Sequence, residues 1–387
     1  MEKIKLGIIG VGNIGVTHSK NIIGGHTKLV DLVAVCDIAP DRRVWAEKNL
    51  PGVKVFDDAT EMMKSGLIDS VLIAVPHYDH PRLAIEAFSY GLNVYNEKPA
   101  GVYTKQVLEM NEAAKKAGKV FSMGFNQRTR PPFQKVRKLV QSGQLGHIKK
   151  VIWIATDWYR PQAYHDSCSW RSTWKGEGGG TITNQNPHNL DLFQWIFGMP
   201  AQVLSMNDYG KYYNIEVEDD VSAFFKYDSG TIGIYTTSTG EAPGTNRLEI
   251  SCDMGKIVCE FGKITFWRNV ESEREFNANF DGVFGQPECW KCEIPTQDED
   301  RPQHAILLDN FADAVLHGKE LLAPGLEGIN EMTLANAIYY SDWLGNKWVD
   351  VKSFDHDGFY NALQDKIAKS TVVKEVKQKT AGTEGSY

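Results

Sequence analysis

The stretch Gly10-Val11-Gly12-Asn13-Ile14-Gly15 directly follows the largely apolar run of residues 4–9. A short strand that breaks into three spaced glycines and then a helix is typical of a turn that binds a dinucleotide. Gly10 permits the tight turn, Gly12 lets the backbone approach a pyrophosphate, and Gly15 allows close packing of the helix on the strand. Because the chain holds 35 glycines, the motif alone fits an ordinary glycine-rich turn about as well as it fits a dinucleotide-binding turn.

The next apolar run supports the dinucleotide interpretation. Residues 29–36 predict a second strand, and this strand ends at Asp37, 22 residues after Gly15. A carboxylate at this point accepts hydrogen bonds from the ribose hydroxyls and repels a 2′-phosphate, which favours NAD. NADP remains an alternative because Arg42 and Arg43 follow, although two arginines that open an exposed helix are also typical of a solvated surface.

Composition excludes several classes of partner. The 387 residues include 42 Lys and Arg against 49 Asp and Glu, a formal net charge of −7. Without a basic tract, nucleic acid and anionic membranes are not expected partners. The chain shows no leader pattern and no apolar stretch of transmembrane length, so we expect a cytoplasmic protein.

The six cysteines are expected to be reduced thiols. Cys289 and Cys292 are the one pair at metal-ligand spacing, whereas six residues separate Cys252 from Cys259. We therefore expect no bound metal.

Two patterns of secondary structure divide the chain. Strands and helices alternate over the first third, which predicts a doubly wound α/β domain with six parallel strands. From about Ile148, seven longer strands predict an α+β domain with a large, mostly antiparallel, open-faced sheet. The expected units are a nucleotide-binding domain at 1–125, a substrate-binding and oligomerisation domain at 126–355, and a C-terminal segment at 356–387 with a frayed end after about Ser370.

Further motifs carry a family resemblance. Asn96-Glu97-Lys98-Pro99-Ala100-Gly101 follows the fifth strand, at the edge of the sheet where ligands bind. Val75-Pro76 with His80 lie before this motif, and residues 124–128, Trp170-Arg171 and residues 184–191 lie after it. In these motifs the chain resembles the Gfo/Idh/MocA family of sugar and cyclitol dehydrogenases, from about residue 3 to residue 351.

The resemblance implies a Rossmann domain and a dehydrogenase reaction. A secondary hydroxyl of a sugar, glycoside or cyclitol is oxidised to a ketone, and its hydride passes to NAD. Histidine needs the least pKa adjustment to act as a base near neutral pH, so His188 is the expected base. Lys98 is expected to stabilise the developing alkoxide. The expected cofactor-binding residues are Gly10, Gly12, Asn13, Ile14, Gly15, Asp37, Arg42, Val75, Pro76, His80, Glu97 and Lys98.

Substrate contacts are expected from the linking segment and from an aromatic loop. The expected substrate-binding residues are Asn126, Arg128, Tyr159, Tyr164, His165, Asp166, Trp170, Asn184 and His188. Each has a structural alternative, since His188 also fits a core histidine and residues 159–166 also fit an interface loop. Asn184 is the third expected catalytic residue. It is expected to share a helix face with His188 one turn away, and it stands where many relatives have aspartate. Either Asp166 or Asp191 supplies that charge, or His188 works without it.

Three functions fit these features. Net oxidation of a sugar, glycoside or cyclitol by NAD is the leading one. Redox-neutral glycoside cleavage through a 3-keto intermediate and non-catalytic sensing of NAD are the alternatives, and the retained Lys98 and His188 argue against the sensor. The open sheet is expected to pair subunits into a homodimer or homotetramer.

Overall fold

Two β-sheets, each with its own hydrophobic core, organise the chain. The computed structural model describes residues 2–297, 299–372 and 374. The first sheet has six parallel strands in the order β3-β2-β1-β4-β5-β6, which confirms the predicted doubly wound domain. The strands are β1 (Ile4–Ile9), β2 (Val30–Cys36), β3 (Lys54–Phe56), β4 (Ser70–Ile73), β5 (Asn93–Asn96) and β6 (Phe121–Met123).

Five helices connect these strands. They are α1 (Asn13–Ile23), α2 (Pro40–Asn49), α3 (Ala59–Lys64), α4 (Asp79–Ser89) and α5 (Thr104–Ala117). The strand order reverses between β1 and β4, so a crevice opens beyond their carboxyl ends. The glycine turn after β1 and the loops after β4 and β5 border this crevice.

The second sheet has nine strands in the order β14-β13-β12-β11-β7-β10-β9-β8-β15. Only the pairing of β7 with β10 is parallel among the described residues, so the sheet is mixed and mostly antiparallel, as expected. Its strands are β7 (Ile148–Ala155), β8 (Gln202–Tyr209), β9 (Glu218–Lys226), β10 (Ile232–Ser238), β11 (Asn246–Cys252), β12 (Gly255–Glu260), β13 (Lys263–Asn269), β14 (Cys289–Ile294) and β15 (Val349–Asp350).

The sequence patterns missed the two edge strands, β14 and β15. β14 is mostly exposed and therefore lacks the buried alternation that marks a strand, and β15 has only two residues. Cys289 and Cys292 both lie in β14. Positions three apart in a strand face opposite sides, so this strand directs the two thiols away from each other.

Helices cover one face of the second sheet. The remaining helices are α6 (Pro131–Gln141), α7 (Gln162–His165), α8 (Thr181–Asn184), α9 (Pro187–Phe197), α10 (Glu273–Asn279), α11 (Gln303–His317), α12 (Gly328–Trp343) and α13 (His356–Lys369). Phe193 of α9 packs against Trp153, Phe225 and Tyr235 of three central strands. Buried and half-buried residues alternate along β9, β10 and β11, so the opposite face is partly open.

The expected single helix carrying Asn184 and His188 is wrong. Asn184 ends the short helix α8, and His188 lies in the first turn of α9. Pro187 causes the break, because a proline has no N–H with which to continue the preceding helix and favours the first helical position.

Helix α11 follows the strand β14 of the second sheet in the chain but packs on the first sheet, because its Leu307, Leu308 and Phe311 belong to the core of the first sheet. Among the described residues, no helix is both long and apolar enough to cross a membrane. The predicted fraying concerns a segment of which only residues 370–372 and 374 are described, so most of that prediction lies outside the described residues.

A buried ion pair fixes the linking segment between the sheets. The Arg128 guanidinium donates two hydrogen bonds to the Asp191 carboxylate of α9, at 2.8 and 2.6 Å. It also donates to the Leu322 carbonyl at 3.1 Å and to Glu327 at 2.6 Å. The Arg128 side chain has no exposed surface, so its guanidinium contacts only other protein groups.

We expect Arg128→Ala to lower the free energy of unfolding by about 3–5 kcal/mol, because it leaves the buried Asp191 carboxylate without its partner. Arg82→Ala is the matched control, since Arg82 pairs with Asp79 on the surface, and its loss should stay within about 0.5 kcal/mol. Urea denaturation measures both values. Equal stability of the two variants would contradict this account of the junction.

Candidate functional site

The glycine turn after β1 is closed on one side and open on the other. Gly10 has a φ of +92°, and a Cβ there would lie 2.3 Å from the Ala74 carbonyl oxygen. A Cβ on Gly15 would lie 1.9 Å from the Gly10 carbonyl oxygen. At Gly12, in contrast, a Cβ would meet nothing within 4 Å. Gly10 and Gly15 therefore shape the turn, and Gly12 faces free space at the N-terminus of α1.

Asp37 lies beside this turn. One of its carboxylate oxygens accepts a hydrogen bond from the Val11 N–H at 2.7 Å, and the other accepts one from the Ala39 N–H at 2.9 Å. The acidic group expected at the end of β2 is thus held against the glycine turn. Arg43 donates to the carbonyls of Asp37 and Ile38, and Arg42 lies in the first turn of α2.

These residues fit a dinucleotide. The open side of Gly12 lies where the free N–H groups of α1 begin, which is the arrangement that binds a pyrophosphate. Asn13, the first residue of α1, has a buried side-chain oxygen without a hydrogen-bond partner among the described residues, and Ile14 packs against the core.

His80 ties together two loops that border the crevice. Its Nδ1 lies 2.8 Å from the Pro99 carbonyl oxygen and its Nε2 lies 2.8 Å from the Val75 carbonyl oxygen. The ring thereby connects the Val75-Pro76 loop with the loop that carries Lys98. Burial lowers the pKa of His80, although the two backbone contacts oppose this shift.

Lys98 projects from the loop after β5 towards the second domain. Its ammonium donates a hydrogen bond to the backbone carbonyl of Asn184 at 2.8 Å. Burial lowers the pKa of Lys98, while the Glu97 and Glu177 carboxylates oppose this shift. The structure therefore brings Lys98 to Asn184, two of the three residues expected to be catalytic.

Glu177 is a buried carboxylate that sequence reasoning missed. It accepts hydrogen bonds from the side chain of Asn184 and from the Ser172 N–H, the latter at 2.6 Å. Arg171 lies 3.6 Å from it. Burial raises the pKa of Glu177, and Arg171 opposes this shift. Residue 184 is an amide here rather than the aspartate of many relatives, but the Glu177 carboxylate contacts it.

Both predicted sources of that charge contact other residues. Asp191 is engaged by Arg128, and Asp166 accepts a hydrogen bond from Gln162. Glu177 follows no strand or helix motif, and its place between Arg171 and the glycines 178–180 is the sequence signal that could have identified it.

His188 is buried in the first turn of α9. Its Nδ1 atom has no hydrogen-bond partner among the described residues. Burial lowers the pKa of His188 well below its usual value, and the charge of Lys98 lowers it further. The ring is therefore neutral near pH 7.

His188 also lines a pocket of about 230 Å³. Sequence reasoning missed the other residues of this pocket, which are Gln127, Arg130, Phe133, Asp157, Trp158, Asn189, Leu192, Asn246 and Gln303. Asp157 has one buried oxygen without a partner among the described residues, and its other oxygen accepts a hydrogen bond from Asn246 at 3.0 Å. Polar groups and an indole thus surround this pocket.

The aromatic loop is brought only partly to Lys98 and Asn184. The Tyr164 hydroxyl accepts hydrogen bonds from Asn184 at 3.2 Å, from Gln185 at 2.9 Å and from Arg171. His165 is buried, with its Nδ1 2.8 Å from the Ser172 hydroxyl, and the ring of Trp170 contacts His77. Tyr159 is 46% exposed.

In the linking segment, Asn126 rather than Arg128 contacts a residue of the pocket. Asn126 donates a hydrogen bond to Gln303, a pocket residue, at 3.1 Å. Arg128, expected to contact substrate, lies instead in the fully buried ion pair with Asp191, which leaves it no surface for a ligand.

Substitutions in the glycine turn test the cofactor site. We expect Gly12→Val to fold with unchanged thermal stability, because its side chain enters free space, and to bind NADH roughly tenfold or more weakly. Gly15→Ala should instead lose about 1–3 kcal/mol or more of stability, because its Cβ collides with the Gly10 carbonyl. NADH fluorescence titration and thermal melting measure the two effects. Unchanged NADH affinity in folded Gly12→Val would contradict this assignment.

Family comparisons agree with this geometry. The protein-family model described as "Oxidoreductase family, NAD-binding Rossmann fold" matches residues 4–125. The protein-family model described as "GFO/IDH/MocA C-terminal domain" matches residues 133–258. Together they cover more than half of the chain.

Individual relatives are distant in sequence. The myo-inositol 2-dehydrogenase of Thermotoga maritima is 25% identical over 270 residues, which are 66% of this chain and 75% of that protein. The D-glucoside 3-dehydrogenase of Escherichia coli is 27% identical over 359 residues, 89% of this chain and 97% of that protein. The chain spans just over half the length of several other curated relatives that it matches.

Solved structures share the fold across nearly the whole chain. The WlbA dehydrogenase of Chromobacterium violaceum, in complex with NADH and UDP-GlcNAcA, superposes with a TM-score of 0.77 at 26% identity. The match covers 90% of this chain and 96% of that one. The chain belongs to the Gfo/Idh/MocA family of oxidoreductases, and its N-terminal domain is the family's NAD-binding Rossmann fold.

Proposed function

We propose that the protein oxidises a secondary hydroxyl of a sugar, glycoside or cyclitol to a ketone, with NAD as the hydride acceptor. The observation that carries this proposal is the partly buried Lys98 ammonium held by the Asn184 carbonyl, together with neutral His188, which lines a pocket and whose pKa the Lys98 charge lowers. A cation and a neutral imidazole are the groups that alcohol oxidation needs, one to stabilise an alkoxide and one to accept a proton.

Bound NAD supplies an electrophilic nicotinamide carbon that accepts a hydride. Lys98 stabilises negative charge on the substrate oxygen, and its partly desolvated position strengthens that interaction. His188 is neutral and has an unpartnered nitrogen, so it accepts the hydroxyl proton without first losing one.

Asn184 cannot ionise, and its role is to position the neighbouring charged groups. Its amide donates to Glu177, and its backbone carbonyl accepts from Lys98, so a single residue connects the carboxylate with the cation. Glu177 thus takes the place of the aspartate that many relatives carry at position 184.

The pocket suits a polyhydroxylated ring. Trp158 offers an aromatic surface, and Asp157, Asn246 and Gln303 offer hydrogen-bonding groups around it. Relatives named as inositol and glucoside dehydrogenases support this substrate class.

A substrate panel tests the reaction. We expect purified protein with NAD and a series of hexoses, glucosides and inositols to produce reduced nicotinamide, measured by its absorbance. Aglycone release without net reduction would favour redox-neutral glycoside cleavage instead. Tight NADH binding with no turnover on any substrate would favour the non-catalytic sensor.

The Lys98→Met variant tests the assigned cation. We expect a loss in kcat of about a hundredfold or more, because one preorganised stabiliser of the oxyanion is removed, while NADH affinity is retained. Lys105→Met is the matched control, since Lys105 is half-exposed and pairs with Asp357, and it should keep full activity. Steady-state kinetics measures both variants, and full activity in Lys98→Met would contradict the mechanism.

A further inference from the structure

A second imidazole lies close to the proposed site and has no place in the mechanism above. His304 is the second residue of α11 and directly follows Gln303, which lines the pocket with His188. Its side chain is 23% exposed, so one part of the ring is buried and another part reaches the surface. The charge of His304 lowers the pKa of His188, and the charge of Lys98 lowers that of His304.

The buried face of this ring is directed at Glu97. The Nδ1 atom of His304 lies 3.9 Å from Glu97 Oε1 and has no hydrogen-bond partner among the described residues. The same Glu97 oxygen is 2.7 Å from Nε2 of His18, and the other oxygen accepts the Lys98 N–H at 3.1 Å. Burial disfavours the Glu97 anion, but the contact with His18, together with the charges of His304 and Lys98, outweighs this and lowers the pKa of Glu97 to about 2. Glu97 is therefore a fixed anion behind the His304 ring.

The groups that face His304 come from three segments of the chain. They are His18 of α1, Glu97 and Lys98 after β5, and His188 of α9. Burial and His18 lower the pKa of His304 to about 4, although Glu97 opposes this shift. The ring is therefore neutral at pH 7. When its Nδ1 carries the proton towards Glu97, its Nε2 has a free lone pair.

His304 has a carboxylate next to its ring, and His188 does not. A carboxylate behind an imidazole fixes its tautomer and stabilises its protonated form. Among the described residues no carboxylate is hydrogen-bonded to His188, and Asp191 is committed to Arg128. His304 has such a carboxylate, at a distance that contraction of the site on ligand binding would shorten to a hydrogen bond.

We propose that His304, with Glu97 behind it, receives the proton that leaves the Lys98–His188 site and passes it to solvent. The inference rests on the proposed alcohol oxidation. In that reaction the substrate O–H and C–H bonds break, the hydride goes to NAD, a C=O bond forms, and one proton must leave the site. His304 takes this proton on Nε2, and Glu97 stabilises the resulting imidazolium. Acting through Lys98 and His188, His304 is a positioning and relay residue.

The test compares His304→Gln with His317→Gln in protein whose substrate the panel has first identified. His317 lies on the same helix in an exposed pair with Asp313, so its variant should be fully active. We expect His304→Gln to lose kcat by about a hundredfold, with unchanged NADH affinity and an altered acidic side of the pH profile, because the titrating group is gone. We expect imidazole added to His304→Ala to restore part of the activity.

Several results would overturn the inference. One is an unchanged kcat and pH profile in His304→Gln, and another is a loss explained entirely by NADH affinity or thermal stability. A third is a bound metal whose removal by chelation abolishes wild-type turnover, since the donor atoms of His18, Glu97 and His304 lie within 4.8 Å of one another.

A measurement without substrate separates this inference from the proposed function. Histidine ring ¹⁵N NMR at pH 7, assigned with His304→Gln, should show a neutral His304 protonated on Nδ1. An Nε2-protonated or cationic ring would overturn the relay even in an active enzyme. An inactive wild-type protein on every substrate would refute the proposed function instead.

Discussion

The buried carboxylate of Glu97 is the constraint on which the proposed site depends. An unpaired charge at this depth would cost several kcal/mol, so its surroundings have to supply partners. His18 and the Lys98 N–H contact its two oxygens, and His304 approaches from α11. A Cβ at Gly124 would lie 2.8 Å from the same carboxylate, so the loop after β6 also conforms to it. Glu97 thereby fixes the backbone from which Lys98 projects and holds α1, the loop after β6 and α11 around it.

A second buried charge pair sets the other side of the site. Arg128 and Asp191 hold the linking segment against α9, the helix whose first turn carries His188. The N-terminus of a helix disfavours positive charge, which agrees with a neutral His188. The cation and the imidazole of the proposed mechanism therefore come from different domains. Glu97 positions the loop that carries Lys98, and the Arg128–Asp191 pair positions the helix that carries His188.

Much of the fold was predictable from sequence because its signals are local. The glycine turn, the alternation of strands and helices and the position of Asp37 follow from short-range patterns, and the structure places Asp37 at the turn. Lys98 and Asn184, which were both expected in the catalytic site, contact each other, and their catalytic role stays a prediction. Pro187 marks the break between α8 and α9 in the sequence, because proline favours the first position of a helix.

The remaining features depend on tertiary contacts that no local pattern encodes. Arginine is a residue type that often binds substrates, but only the fold shows that the Arg128 guanidinium forms ion pairs with Asp191 and Glu327. Glu177 lies in an irregular segment without periodicity, and His304 lies far along the chain from Glu97. Such residues become recognisable only when distant segments are placed side by side.

A crystal structure with NAD and an oxidisable sugar or inositol tests the central claim most directly. The account predicts that Lys98 Nζ and an imidazole nitrogen lie within about 2.6–3.2 Å of one substrate oxygen. The carbon bearing that oxygen should lie about 3–3.5 Å from the reactive carbon of the nicotinamide. A substrate hydroxyl bound away from both Lys98 and the nicotinamide would contradict the account.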